Sequence, residues 1–433
     1  MSSSLISRDL ASVWHPFTQH SLWPVDDPIV IDRASGVYLY DTDGRRYLDG
    51  VSSLWVTVHG HGEPEINEAI RAQLARLDHS TFLGLTHEPG IRTAEELLRV
   101  APDGLAKVFF AGDGSSAAEA AIKIAYQAAV QRGEDRPLYL HIAEGYHGDT
   151  LGAVSLGGVE LFHATYRPLL INTRMVSSPG VLAEGQTRSG RAFEVLAELR
   201  AVLEAEPGRV CAIVVEPLVQ AAGGMLTHDP SFLVGVRALC DEFGASMLVD
   251  EVATGIGATG RWFAVEHAGV VPDLMVVGKR ITGGTLPLSA VLATQEIYDC
   301  FLGEGTRTFF HGHTYTANPL SCAAALANLS LMHERGTVAR AAAVGEALGA
   351  GLSAIERYDG VREIRRVGTM TGIEVNPVGE RTGFEVCRAA REQGVIIRPL
   401  GDVVVLMPPL GISDTELAEL VGVVDASIRK VVQ

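Results

Sequence analysis

Short apolar runs alternate along the middle of the chain with longer segments in which apolar positions return every three or four residues. The runs at 108–111 (VFFA), 138–142 (LYLHI), 210–215 (VCAIVV), 246–250 (SMLVD) and 274–277 (LMVV) read as strands. An alanine-rich stretch after Ser116, a segment at 191–206 and another at 231–243 read as helices. This alternation from about 105 to 290 predicts a mostly parallel sheet covered by helices. Upstream, Pro64 opens a helix with apolar positions at Ile66, Ile70, Leu74 and Leu77. Residues 1–50 read as an irregular lead-in followed by two hairpin-like β-rich runs around Gly36, with a turn at Asp43-Gly44. A Gly/His/Thr loop near 305–318 precedes a helix entered at Pro319, and from about 331 helices mix with short strands, as in a smaller α+β domain.

Composition narrows the class. The 433 residues are 47% apolar and 20% charged, which suits a large globular core. The net charge is −17 and no basic run occurs, so neither nucleic acid nor an anionic membrane is expected as a partner. Five scattered cysteines include no CxxC pair, as expected for reduced thiols. The first residues lack a basic segment followed by an apolar core, and no run of eighteen apolar residues is found. A cytoplasmic protein without a membrane span is expected.

The chemistry gathers at strand ends. Lys279 follows the run LMVVG, and Asp250 closes the run SMLVD. A lysine and a carboxylate so placed suit pyridoxal phosphate: the lysine for a Schiff base, the carboxylate to keep the pyridine nitrogen protonated. Taken singly, each is as well explained as a surface lysine or an acidic turn. Gly112-Asp113-Gly114-Ser115-Ser116 runs from a strand into a helix, which presents free N–H groups and a positive dipole end to a phosphate. Gly114 and Ser115 are the phosphate candidates, with Asp113 expected to point away; the same turn also serves as a plain helix cap. Tyr146 can stack on a planar ring or fill a turn as a buried tyrosine. Glu216 and Gln220 lie at or past a strand's C-terminal end, where ligands of open parallel sheets collect. Thr314 is a phosphate ligand or a turn hydroxyl. His59 and His61 have no carboxylate or cysteine at ligand spacing, so no metal is expected. The early cluster WHPFTQ serves as a hydrophobic latch or reaches back to line a pocket.

Nearly the whole chain resembles the class III, fold-type-I pyridoxal-phosphate aminotransferases, on DEVATGIGATG, PDLMVVGK, the ITGG turn and HGHTYTANPL in that order. Within them it looks most like the 7,8-diaminopelargonic acid aminotransferases of biotin synthesis, on WHPFTQ, DGVSSLW, GYHGDT, EPLVQAAGGM and RPLGDVVVLMPP. The resemblance implies an α/β fold with a large cofactor domain at 51–330 and a small α+β domain formed by 1–50 and 331–433. It implies that Lys279 carries the cofactor and shuttles the proton, and that Asp250 pairs with the pyridine nitrogen. Gly114 and Ser115 would hold the phosphate, Tyr146 and Val252 would sandwich the ring, and Glu216 would join the cofactor site. Thr314 would reach the phosphate of the neighbouring subunit, which makes a homodimer. On the substrate side, Arg398 would clamp a carboxylate, with Phe17, Leu54 and Trp55 as pocket walls. The substrates implied are S-adenosylmethionine and a carboxylate-bearing acceptor, 8-amino-7-oxononanoate.

The chain departs from the family's pattern at substrate-side positions. Leu54 stands for a tryptophan, Ala258 for an arginine, Arg280 for a small residue, His313 for a proline, Val405 for a tyrosine and Asp402 for a basic residue. A changed pocket on an intact cofactor frame opens two alternatives: cleavage of S-adenosylmethionine at Cγ for carbon–carbon bond formation, and general ω-amine transamination. A non-catalytic relative fits poorly with an intact lysine and aspartate.

Overall fold

The protein was analysed as a computed structural model that describes residues 2–433. Its centre is a seven-stranded sheet in the order Leu105–Ala111, Ser289–Thr294, Leu274–Val277, Ser246–Asp250, Val210–Val215, Leu138–Ile142 and Thr173–Val176. Every neighbouring pair is parallel except those made by Ser289–Thr294, which runs against both of its neighbours. The sheet is therefore mostly parallel, as the alternation predicts. Both faces are covered, which is why its strands are almost continuously apolar. On one face Leu248, Leu274, Val276 and Val291 pack on the alanine-rich helix Gly114–Gln131. On the other, Val249, Met275, Val277 and Leu292 join the largest core cluster. The helices Arg188–Ala205 and Ser231–Phe243 match the predicted segments within a few residues.

A second, antiparallel sheet is built from Val361–Val367, Met370–Val375, Val403–Leu406 and Arg398–Leu400. The early strands Ile31–Ser35, Tyr38–Asp41 and Arg46–Asp49 pair with one another and with Val395–Ile396, and Val37 and Leu48 share a core with Val344, Ile373 and Leu420. The helix Thr337–Leu352 has the composition of a membrane span, yet Val344, Leu348 and Leu352 lie in that core and Arg340 pairs with Asp414 at 2.7 Å.

Three local expectations need correction. The lead-in is not irregular throughout, because Ser2–Ser12 is a helix. Its few apolar residues give a weak periodic signal. The stretch after Asp49 is not all loop: Ser52–Trp55 forms a tight turn in which Ser52, Ser53 and Trp55 all have positive φ. In the helix Pro64–Arg76, Ile66 is buried but Leu74 is exposed, and the polar Gln73 is buried instead, its amide donating to the carbonyl of Leu77 at 2.8 Å.

Candidate active site

The C-terminal ends of the parallel strands open onto a cavity of about 500 Å³. Its wall includes Trp55, Gly114, Ser115, Tyr146, Glu216, Asp250, Val252 and Lys279, so eight predicted site residues meet in one place. The cause is topological for all but Trp55: the others lie at or shortly past strand ends of the large sheet, whose parallel strands bring those ends to one edge, whereas Trp55 comes from the turn after Arg46–Asp49 in another sheet. Lys279 is one of four lysines in the chain; Lys107, Lys123 and Lys430 are exposed, whereas Lys279 is largely enclosed and borders the cavity. Its φ of +45° places the backbone in the left-handed region, which is strained for a residue other than glycine. The Nζ lies 5.3 Å from the ring centre of Trp55. Burial holds the Lys279 pKa below the ordinary lysine value, against the opposing pull of Asp250.

Asp250 is fixed from two sides. Its Oδ1 accepts from the Val252 N–H at 2.9 Å, and its Oδ2 is 2.8 Å from Nδ1 of His147. Burial lowers the His147 pKa, but the hydrogen bond and charge of Asp250 outweigh burial and leave it above the usual histidine value. The hydrogen bond therefore favours the protonated form of His147 and fixes the Asp250 carboxylate at the cavity wall. No role for His147 follows from the sequence, in which it stands 103 positions from Asp250.

Glu216 is buried, and burial pushes its pKa up to about 7, with His147 pulling the other way. Its carboxylate accepts from the backbone N–H of Tyr146 at 3.0 Å and of Ala221 at 3.1 Å. It thus shapes the cavity wall by fixing two loops. Gln220 bridges nearby, its amide donating to the Ala143 carbonyl at 2.7 Å.

The phosphate candidates form a cradle. Asp113 caps the helix by accepting from the Ser116 N–H at 2.9 Å and from the Ser116 hydroxyl at 2.9 Å, so its carboxylate is already engaged. Ser115 Oγ lies 2.9 Å from Oγ1 of Thr150 and accepts from the Thr150 N–H at 3.0 Å. A Cβ on Gly114 would stand 2.8 Å from Val252 Cγ1, and one on Gly148 would stand 2.3 Å from Ser115 Oγ. The close backbone approach at both places requires glycine. Helix N–H groups for a dianion, a carboxylate for a ring nitrogen and an enclosed amine for an aldehyde together fit pyridoxal phosphate.

Residues 23–428 match the family described as Aminotransferase class-III. The chain is a class-III aminotransferase. It is accordingly a pyridoxal-phosphate enzyme of fold type I. A curated relative from Nitratidesulfovibrio vulgaris named adenosylmethionine-8-amino-7-oxononanoate aminotransferase is 48% identical over 99% of this chain and 82% of its own length. A relative of the same name from Geobacter sulfurreducens is 43% identical over 98% of this chain and 97% of its own. The crystal structure of an enzyme so named from Methanocaldococcus jannaschii superposes with a TM-score of 0.93 at 36% identity, covering 99% of each chain.

The remaining predicted residues of this aminotransferase lie apart from the cavity wall. Phe17 is 58% exposed and meets Phe162 edge-on at 5.5 Å, and Phe162 in turn meets Tyr146 at 6.1 Å, so Phe17 reaches the site only through another ring. Leu54 is 48% exposed beside buried Trp55. Thr314 is exposed and does not border the cavity of its own chain. Arg398 is half-buried on the small antiparallel sheet, opposite Val405, and makes no ion pair among the described residues. Val405 is fully buried in the core, so its substitution bears on packing rather than on the cavity lining. His61 pairs with Asp49 at 2.9 Å and His59 faces the Asn328 carbonyl at 3.5 Å, which accounts for both histidines structurally.

Proposed function

We propose that this aminotransferase moves the amino group of S-adenosylmethionine to 8-amino-7-oxononanoate in biotin synthesis. The observation that carries this reading is the 48% identity, over almost the whole chain, to a relative bearing that activity in its name. Sulfonium cleavage is in none of these relatives' names, and general ω-amine transamination draws its support from solved structures at lower identity.

Each half of the reaction makes a demand that a residue here meets. When bound, pyridoxal phosphate supplies an aldehyde that condenses with amines and a ring that withdraws electrons from the attached carbon. Lys279, whose enclosure disfavours its protonated form, would accept the proton from that carbon and return it on the other side of the transfer. Asp250 would hold a proton at the ring nitrogen, and His147 fixes the Asp250 carboxylate for that task through their 2.8 Å contact. The N–H groups at Gly114 and Ser115 bind the phosphate. Tyr146 and Val252, both on the cavity wall, would hold the ring, and Trp55 would wall off water beside Lys279. A chromatographic assay with S-adenosylmethionine as sole amine donor tests the reading. Diaminopelargonate is the expected product; methylthioadenosine released without it would sink the proposal.

Arg398 is the proposed carboxylate clamp, since its guanidinium has no ion-pair partner of its own. Arg398→Ala is expected to weaken binding of the carboxylate-bearing substrate by about 2 kcal/mol, the low end for a charge pair because the residue is half-buried. That is roughly a thirtyfold rise in KM with kcat little changed. An unaltered KM for both substrates would remove Arg398 from the site.

The exposed Thr314 supports a homodimer in which that loop reaches the phosphate of the neighbouring subunit. Phe310 and Tyr315, both exposed on the same loop, supply apolar surface for such a contact. Sedimentation at assay concentration should show a dimer, and a fully active monomer would rule this arrangement out.

A further inference from the structure

The residue after Lys279 is an arginine for which amine transfer has no stated use. Arg280 is only 1% exposed. Its Nη1 donates to the Ala253 carbonyl at 2.9 Å, and Ala253 borders the cavity. Its Nε and Nη2 have no partner, and no carboxylate pairs with it among the described residues. Asn328 secures the backbone here, its amide donating to the carbonyls of Arg280 at 3.0 Å and Ile281 at 3.1 Å. Burial pushes the Arg280 pKa down to about 9, which leaves the group charged at neutral pH. An unpaired charge in the interior costs several kcal/mol and is rarely retained for packing alone.

The charged groups facing Lys279 come from three strands and its own turn. Asp250 lies on the adjacent strand end, and His147, from the loop after Leu138–Ile142, is braced on Asp250. Glu216 follows the strand Val210–Val215, and Arg280 is Lys279's own neighbour. Trp55 adds an uncharged ring face from the other side. Asp250 is hydrogen-bonded to His147, and Glu216 is tied to two backbone N–H groups. Arg280 is the one group in this set with nothing opposing its charge.

We infer that Arg280 is an electrostatic positioning residue, whose buried and uncompensated charge next to Lys279 disfavours the protonated form of that lysine and so favours the amine that the transfer requires. This rests on Lys279 as the cofactor lysine, and adds to it the device that sets its protonation. A cation beside an amine makes protonation harder, by the same Coulomb term that an adjacent carboxylate uses to make it easier. After burial, Arg280 contributes to the lowering of the Lys279 pKa, with Asp250 and Glu216 opposing it. The sign follows: removing the Arg280 charge raises the pH at which Lys279 and its bond to the cofactor give up a proton.

The test is a pH titration of the visible cofactor band in holoenzyme carrying Arg280→Met, Arg280→Gln or Arg280→Lys, with wild type and Lys279→Ala alongside. Both uncharged variants are expected to titrate about one pH unit or more above wild type. Arg280→Lys, which keeps the charge, should stay near wild type. A midpoint unmoved in the uncharged variants overturns the proposal. Failure of both uncharged variants to fold also overturns it, because the arginine would then serve the fold. A band that survives unchanged in Lys279→Ala overturns instead the assignment of Lys279, and so separates the two failures.

Discussion

Lys279→Ala is expected to lower the rate of amine transfer by about 10⁴-fold, the upper range for loss of a positioned general base. The size follows from the lack of any substitute. The other three lysines are exposed and do not border the cavity. Burial raises the pKa of Glu216 and of Glu251 to about 7, but both oxygens of Glu216 are committed to backbone N–H groups, and Glu251 accepts from the Thr254 hydroxyl and the Val265 N–H and does not border the cavity. Tyr146 donates its hydroxyl to Asp149 at 3.0 Å, and burial raises its pKa, so it is a poor base. A small added amine should restore part of the rate by entering the space the side chain leaves. Steady-state product formation measures both effects, and a variant within tenfold of wild type would remove Lys279 from catalysis.

Asp250→Asn is expected to cut kcat by roughly 10²–10³-fold while cofactor remains bound, a loss of about 3–4 kcal/mol, the range for a preorganised charge removed from a dry site. Two consequences of one substitution add here. The amide cannot hold a proton on a ring nitrogen as a carboxylate does. It also strands His147, whose imidazolium depends on Asp250 Oδ2 at 2.8 Å and is otherwise disfavoured by burial. Cofactor retention is read from the visible absorption of the purified variant. The Gly114-Ser115 turn proposed for the phosphate lies elsewhere on the cavity wall, and the carbonyl oxygen of an amide at position 250 can still accept from the Val252 N–H, so retention is the expected result. A variant that transfers amine at the native rate would show that Asp250 does not govern the ring.

The parts of the site legible in the sequence share a local signature. Lys279, Asp250 and the Gly114-Ser115 turn each sit within a few residues of an apolar run, and a mostly parallel sheet carries such positions to one edge. Contacts that join distant segments leave no such mark. The His147–Asp250 pair spans 103 positions, and the tie from Glu216 to Tyr146 spans 70. The Ser52–Trp55 turn went unread because its positive φ values fall on residues other than glycine, with no Gly or Pro to announce them. Arg280 stands out in the sequence as an unexpected neighbour of Lys279, yet its complete burial depends on Ala253 and Asn328, which only the folded chain brings near. Phe17, Leu54, Thr314 and Arg398 belong to the rim, to the small sheet or to an exposed loop. Motif likeness locates such residues, but local chemistry does not.

The central claim is that Lys279 is the amine that carries the cofactor, and reductive trapping tests it most directly. Holoenzyme treated with borohydride, digested and mapped by mass spectrometry should carry the phosphopyridoxyl group on the peptide containing Lys279. Lys107, Lys123 and Lys430 should be unlabelled. Label fixed on any of those three, with the Lys279 peptide unmodified, would contradict the account.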